Sequence, residues 1–232
     1  MVEVADEYKL TDETLFLAIN FVDRFLSVMS ISRQSFQLLG TAALFISAKY
    51  EEIYPPDVHE FVSITDDTYT KTQVLNMEKL ILKVLQFDVS APTAHYFLRK
   101  YLSHLQLPKH INHLAEYLCY LTLLEDFPFL RYLPSEIAIC SIILAVHTYG
   151  IRGVDFNFYK NTLLAIESNE PKNLERLITS RQTCIEAMHK MQIFASQHSQ
   201  QAIFHKFCGD KFAGVALRTA AEKSPDFKIY FT

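Results

Sequence analysis

Glycine, proline and cysteine are scarce in this sequence, and each shortage narrows the fold. With 5 glycines and 8 prolines in 232 residues, and with Leu, Ala, Ile, Lys and Glu recurring at spacings of three and four, helices are favoured over strands. The 4 cysteines lie far apart without C-x-x-C spacing, so neither a zinc knuckle nor a redox pair is indicated. We predict an all-α protein with reduced, mostly buried cysteines.

Long apolar runs and an excess of positive charge are also missing. The longest apolar run, residues 137–146, is well short of the ~20 residues that a membrane-spanning helix requires. A net charge of −4 leaves no basic stripe for phosphate groups. The N-terminus is acidic and lacks the features of a secretory signal. Neither a membrane nor a nucleic acid is therefore expected as a partner.

The first part of the chain has the pattern of a small helical bundle. Thr11 is a candidate N-cap for an amphipathic helix. In residues 32–50, apolar and small side chains from Leu38 to Ala48 appear on every side, which is typical of the central helix of a bundle. A short helix is predicted with Pro55 and Pro56 in its first turn, and the box Thr70-x-x-Gln73 opens a longer one.

The same order of helices returns in the second part of the chain. Residues 88–93 have no helical period and contain a proline, which predicts a linker. The helical pattern restarts after them, so we predict two tandem five-helix units related by internal duplication. The predicted boundaries are 1–90 for the first unit, 91–198 for the second, and 199–232 for a loosely packed C-terminal tail.

Two charged residues, Lys49 and Glu78, fall on apolar stripes of their predicted helices. Lys49 follows Leu38, Ala42 and Phe45, and Glu78 shares its stripe with Val74, Ile81 and Leu85. Considered alone, Lys49 is explained by the favourable interaction of a cation with the C-terminal end of a helix. Glu78, considered alone, is explained by a position at the edge of the apolar face. Taken together, beside Glu51, Glu52 and two prolines, they predict an ion pair that meets a partner protein at a surface desolvated on binding.

Several stretches of the chain resemble a known family. "YKLTDETLFLAINFVDRFLS", "SAKYEEIYPP" and "SITDDTYTK" look like the cyclin box, and "APTAHYFL" and "RYLPSEIA" look like its A-type members. The resemblance runs from residue 2 to about residue 217 and is stronger in the first half. It implies two tandem cyclin-box folds, the first of which binds a cyclin-dependent kinase and holds its mobile αC helix in the active position. It implies no catalytic residue, cofactor or metal.

The resemblance also implies two binding surfaces. The predicted kinase-binding residues are Lys49, Glu78, Tyr50, Glu51, Glu52, Ile46, Leu82 and Phe87. The predicted substrate-docking residues, on a shallow groove for Arg-x-Leu segments of substrates and inhibitors, are Glu3, Phe36, Gln37, Leu38, Ile64 and Asp66. Phe36 stands where the family usually has an aliphatic residue. The family's Met-Arg-x-Ile-Leu helix would lie before Met1, so we expect weakened docking.

Two other functions compete with this one. An enzyme would need a convergent constellation, and the nearest candidate is a group of three histidines and one glutamate: His104, His110, His113 and Glu116. This group has no evident fourth metal ligand, and the chain has no Gly-rich phosphate cradle. A transcription-factor or pocket-type adaptor with the same double fold would bind DNA or short peptides. The acidic balance argues against DNA.

The predicted function is that of a non-catalytic regulatory subunit. We expect it to bind and activate a cyclin-dependent kinase and to help recruit substrates. The resemblance further implies control of S phase and of entry to mitosis, and a location in the nucleus and cytoplasm.

Overall fold

Helices are the only regular secondary structure in the described parts of the chain, which confirms the all-α prediction. The computed structural model describes residues 1–66, 68–156 and 171–230. The chain divides into two compact units, Met1–Thr93 and Ala94–Thr232. Within the described ranges no helix combines the length and the apolar character needed to cross a bilayer.

Each unit is a succession of helices. The first unit contains α1 (Val2–Glu7), α2 (Asp12–Val28), α3 (Phe36–Glu51), α4 (Val58–Ser63) and α5 (Lys71–Val84). The described part of the second contains α6 (Ala94–Leu105), α7 (Lys109–Leu121), α8 (Pro134–Thr148), α9 (Pro171–Phe194) and α10 (Ala202–Cys208). The sequence also predicts a short helix that begins near residue 161, before the turn marked by Pro171, and this segment lies outside the described residues.

Two helices of the first unit begin at the predicted capping residues. The Thr14 amide donates to Thr11 Oγ1 at 3.3 Å, which satisfies one of the free N–H groups at the start of α2. At the start of α5, the Gln73 amide donates to Thr70 Oγ1 at 3.3 Å. The Gln73 side chain in turn accepts from the Thr70 amide at 2.8 Å. The predicted capping box is therefore confirmed.

The start of α4 differs from the prediction. Pro55 and Pro56 precede the helix instead of forming its first turn, and Asp57 is the N-cap. Its Oδ1 accepts from the amides of His59 at 2.7 Å and Glu60 at 3.1 Å. The hydrogen bond from the Glu60 amide has the larger effect and that from the His59 amide the smaller. Both stabilise the charged form of the Asp57 carboxyl group and so lower its pKa. An acid at this position was a capping signal in the sequence.

Helix α3 is the centre of the first unit, as its all-round apolar pattern predicted. Its buried residues run from Leu38 to Ala48 with the exception of Thr41. It packs against both α2 and α5. A Cβ atom placed on Gly40 would lie 3.4 Å from Met1 Sδ, an ordinary van der Waals distance, so the N-terminal residue packs over this part of α3.

Helix α8 has the same position in the second unit, where α6 and α7 pack against it. It carries a buried ion pair that the sequence did not reveal. Glu136 Oε1 lies 3.3 Å from Arg181 Nη2 of α9, and the two side chains are 7% and 3% exposed. Glu136 Oε2 also accepts from the Leu133 amide at 3.0 Å. One carboxylate thus holds the start of α8 and joins it to α9.

The C-terminal segment is part of the core of the second unit, so the expectation of a loosely packed tail is wrong. Phe207 and Phe227 are 0% and 1% exposed. The Phe207 ring lies 5.3 Å from the Tyr117 ring and 5.2 Å from the Tyr120 ring, both on α7. Two large aromatic side chains buried in this way contribute several kcal/mol of the stability of the unit.

We predict that Glu136→Ala strongly destabilises the second unit. The substitution leaves the Arg181 guanidinium buried without its carboxylate, and breaking a buried pair in this way costs about 3 to 5 kcal/mol. Urea unfolding followed by circular dichroism measures the change. The matched control is Glu222→Ala, which removes an exposed carboxylate, and an equal loss in both variants would contradict the assigned role.

Candidate protein-binding site

Lys49 and Glu78 meet in the structure. Lys49 lies in the last turn of α3 and Glu78 lies midway along α5, and these two helices pack against each other. The Lys49 ammonium donates a hydrogen bond to Glu78 Oε1, forming a salt bridge. The apolar residues of both predicted stripes are buried: Leu38, Ala42, Phe45, Val74, Ile81 and Leu85. The predicted contact between the two charges is therefore confirmed.

The two members of this pair differ in exposure. The Glu78 side chain is 12% exposed and the Lys49 side chain is 40% exposed. The Lys49 Nζ atom also lies 4.0 Å from the centre of the Phe45 ring, a cation–π contact. The shielded carboxylate and the ring fix the lysine in place, so little side-chain entropy remains to be lost when another molecule binds it.

Large apolar side chains surround the end of α3 and are open to solvent. Tyr50 is 49% exposed, and just beyond it Ile53 and Tyr54 are 87% and 92% exposed. Phe87, which follows α5, is 72% exposed. Such residues beside a fixed charge are typical of a surface that another protein covers. Ile53 and Tyr54 are not among the residues predicted from the sequence, although they stand between charged residues and prolines in "EEIYPP".

Two residues of the predicted kinase-binding set serve the unit itself. Ile46 is 4% exposed and belongs to the core, so its predicted contact with a partner is not supported by its position. Glu52 Oε1 accepts from the Thr11 amide at 2.7 Å and from Thr14 Oγ1 at 2.5 Å. It thereby ties the end of α3 to the start of α2. Leu82, half-buried on α5, keeps part of its surface accessible.

Glu51 differs from its neighbour Glu52. Its side chain is exposed and has no hydrogen bond to α2 among the contacts of the described residues. Desolvation raises the pKa of Glu51, and the negative charges of Glu13 and Glu52 raise it further. Two adjacent glutamates therefore have different environments, because one points outward and the other inward at the end of α3.

The predicted substrate-docking residues lie around the beginning of α3. Phe36 is 49% exposed, whereas Leu38, two residues further along the same turn, is buried. The contact of Met1 with Gly40 places α1, and with it Glu3, beside this end of the helix. The Tyr69 hydroxyl donates to the Gln34 carbonyl at 2.8 Å, so the loop after α4 also lies beside the beginning of α3. The exposed residues of the set are Glu3, Phe36, Gln37 and Asp66, and Ile64 is half-buried.

The histidines of the competing enzyme hypothesis have separate surroundings. His104 Nδ1 contacts the Lys100 carbonyl at 2.7 Å. The His110 ring packs against Tyr149 and the His113 ring against Phe212. Within residues 1–66, 68–156 and 171–230, no three potential metal-ligating side chains converge on one point.

The fold and the site define an all-helical protein of two successive bundles whose first bundle presents a surface suited to another protein. Family models match both units: the model of the cyclin N-terminal domain matches residues 1–90, and that of the cyclin C-terminal domain matches residues 92–221. The chain belongs to the cyclin family.

The curated relatives of this chain include A-type cyclins. The chain is 46% identical over 227 residues to Cyclin-A1 of Carassius auratus, covering 97% of this chain and 54% of that protein. It is 45% identical over 224 residues to Cyclin-A2 of Homo sapiens, covering 96% and 49%. The chain thus spans about half the length of these relatives. A viral cyclin from herpesvirus saimiri has the same fold, with a TM-score of 0.63, 18% identity and 81% coverage of both chains.

We predict that Glu52→Ala destabilises the first unit and that Glu51→Ala does not. Glu52 accepts two charge-assisted hydrogen bonds at the junction of α2 and α3, and their loss costs roughly 1.5 to 3 kcal/mol. Urea unfolding measures the free energy of unfolding of the two variants, and Glu51→Ala is the matched control because it removes the adjacent glutamate. Equal stability of the two variants would show that the bonds to Thr11 and Thr14 do not hold the helices together.

Proposed function

We propose that this chain is the non-catalytic regulatory subunit of a cyclin-dependent protein kinase. Membership of the cyclin family and the likeness to A-type cyclins support this role. The observation that carries the proposal is the Lys49–Glu78 ion pair, because its shielded carboxylate holds an exposed ammonium in a fixed position. The competing role as a DNA-binding adaptor has no comparable feature, since the chain carries a net charge of −4.

The ion pair would bind backbone groups of the kinase. A lysine ammonium has three N–H donors, and the contact with Glu78 uses one of them. The others are free to donate to carbonyl oxygens of a partner, and the second carboxylate oxygen of Glu78 can accept from a backbone amide. Burial of the site removes water from these bonds and strengthens them, so the pair fixes the orientation of the partner.

The apolar side chains beside the pair would supply most of the buried area. Tyr50, Ile53, Tyr54 and Phe87 are the exposed members, and the half-buried Leu82 lies one turn after Glu78 on α5. Aromatic side chains at the centre of an interface commonly carry much of its binding energy. A surface that prefers one position of a mobile kinase helix raises the population of that position. Activation then follows without any chemical step by this chain.

A second proposed surface, at the start of α3, would dock Arg-x-Leu segments of substrates and inhibitors. The exposed Phe36 ring offers an apolar contact, and the carboxylates of Glu3 and Asp66 can pair with a cationic side chain. Together the two surfaces describe a subunit that activates a kinase and brings it substrates. Its proposed role is in S phase and mitotic entry, and its proposed location is the nucleus and cytoplasm.

We predict that Lys49→Ala or Glu78→Ala weakens kinase binding by ~2 kcal/mol or more, the scale of a hot-spot residue. Helix content should not change, because neither substitution removes a core side chain. Isothermal titration with a purified cyclin-dependent kinase measures the affinity, and activity on a histone substrate measures activation. The control is Arg33→Ala, an exposed cation just before α3. Undiminished binding by a Lys49→Ala, Glu78→Ala double variant would refute this interface.

We predict that Asp66→Lys weakens binding of an Arg-x-Leu peptide, because it replaces an attraction for the arginine with a repulsion. A change of about 1 kcal/mol is expected for a charge at the rim of a groove. Fluorescence anisotropy with a labelled peptide measures it, with Asp88→Lys as a charge-matched control on the turn after α5. The docking assignment fails if both variants bind the peptide equally well.

A further inference from the structure

The last described residues of the chain, 221–230, form a strap that crosses α8 and α9 of the second unit. Two histidines hold the first part of this strap. His189 Nε2 contacts the Ala221 carbonyl at 2.7 Å, and His147 Nε2 contacts the Lys223 carbonyl at 3.0 Å. Both rings must donate their Nε2–H for these hydrogen bonds to form.

The second part of the strap is held by one glutamine of α9. Gln182 Nε2 donates to the Pro225 carbonyl at 3.2 Å, and Gln182 Oε1 accepts from the Phe227 amide at 2.9 Å. The side-chain amide of Gln182 therefore uses both its N–H donor and its carbonyl acceptor to bind the backbone of the strap, as a neighbouring β-strand would. Phe227, 1% exposed, anchors the same point in the core.

Ser224 lies between these two points of attachment. It is half-buried, it has no helical conformation, and buried Pro225 follows it. Ser224-Pro225 is the only Ser-Pro or Thr-Pro pair in the 232-residue sequence. A proline-directed protein kinase requires a proline directly after the serine of its substrate. Proline has no backbone N–H, so the kinase site that holds this residue needs no N–H donor from it.

The strap must leave the unit before a kinase can use this serine. Kinases take their substrates as an exposed, extended segment, whereas Pro225 is buried and its carbonyl is bound to Gln182. Once added, a phosphate would carry a charge of about −2 at neutral pH. The exposed acids Glu222 and Asp226 lie two residues away on either side. Repulsion from both would oppose return of the strap, although the adjacent Lys223 offsets part of it.

We propose that Ser224 is a phosphorylation site for a proline-directed serine/threonine kinase, and that phosphorylation keeps the strap detached from α8 and α9. In the reaction Ser224 Oγ attacks the γ-phosphorus of ATP. The bond from that phosphorus to the bridging oxygen of ADP breaks, the hydroxyl proton passes to the base of the kinase, and ADP leaves. The proposal uses only the second unit, so it does not depend on the Lys49–Glu78 interface.

The test is phosphorylation of the whole chain by a purified mitogen-activated protein kinase with ATP, followed by mass spectrometry of its peptides. We expect phosphate on Ser224 and none in the same peptide of Ser224→Ala. Gln182→Ala should be phosphorylated roughly tenfold faster than the unaltered chain, because it loses two hydrogen bonds that keep the strap closed. Phe227→Ala provides a second release variant, and Lys190→Ala, an exposed change on α9, is the control for both.

Hydrogen exchange tests the second half of the proposal. In the phosphorylated chain, the Phe227 amide should exchange at least ten times faster than in the unmodified chain, because its bond to Gln182 is broken. Absence of phosphate on Ser224 in every variant would overturn the site. Equal phosphorylation rates in the unaltered chain and both release variants, or unchanged exchange at Phe227 after modification, would overturn the coupling to strap release.

Discussion

An unequal ion pair is the interaction on which the proposed site depends. Glu78 is shielded in the first unit and Lys49 is open to solvent, so the pair is bound at one end and available at the other. A fully exposed pair would be mobile and weak. A fully buried pair would be unreachable. The intermediate arrangement arises because Lys49 lies in the last turn of α3, beyond the buried residues of its stripe, whereas Glu78 lies midway along α5 between the buried Val74 and Ile81.

The second unit shows what the same chemistry does under full burial. Glu136 and Arg181 are both less than a tenth exposed, and Glu136 also holds the first turn of α8. A charge there has no route to a partner protein, so its role is to fix the position of two helices. Whether a charged residue of this protein can bind a partner or only supports the fold therefore depends on how much of its side chain the rest of the unit leaves exposed. The residue type does not decide this.

The same distinction separates Glu51 from Glu52, which are neighbours in the chain. One lies on the surface beside exposed aromatic residues, and the other is bound to the start of α2. In the strap, Ser224 and Phe227 are likewise three residues apart, yet one is half-buried and the other is an anchor of the core. Side-chain roles in this protein change over distances that a sequence pattern with a period of three or four does not resolve.

The sequence by itself determined the helical class, the two-fold repetition of the helix order, the caps at Thr11 and Thr70, and the stripes that carry Lys49 and Glu78. These depend on local periodicity and on hydrogen bonds within one turn, which the order of residues states directly. Only the tertiary structure decided that the two charges touch, that Ile46 and Glu52 face inward, and that the C-terminal segment joins the core. Each of these depends on which helix lies beside which, and residues separated by 29 positions, such as Lys49 and Glu78, carry no local signal of their distance in space.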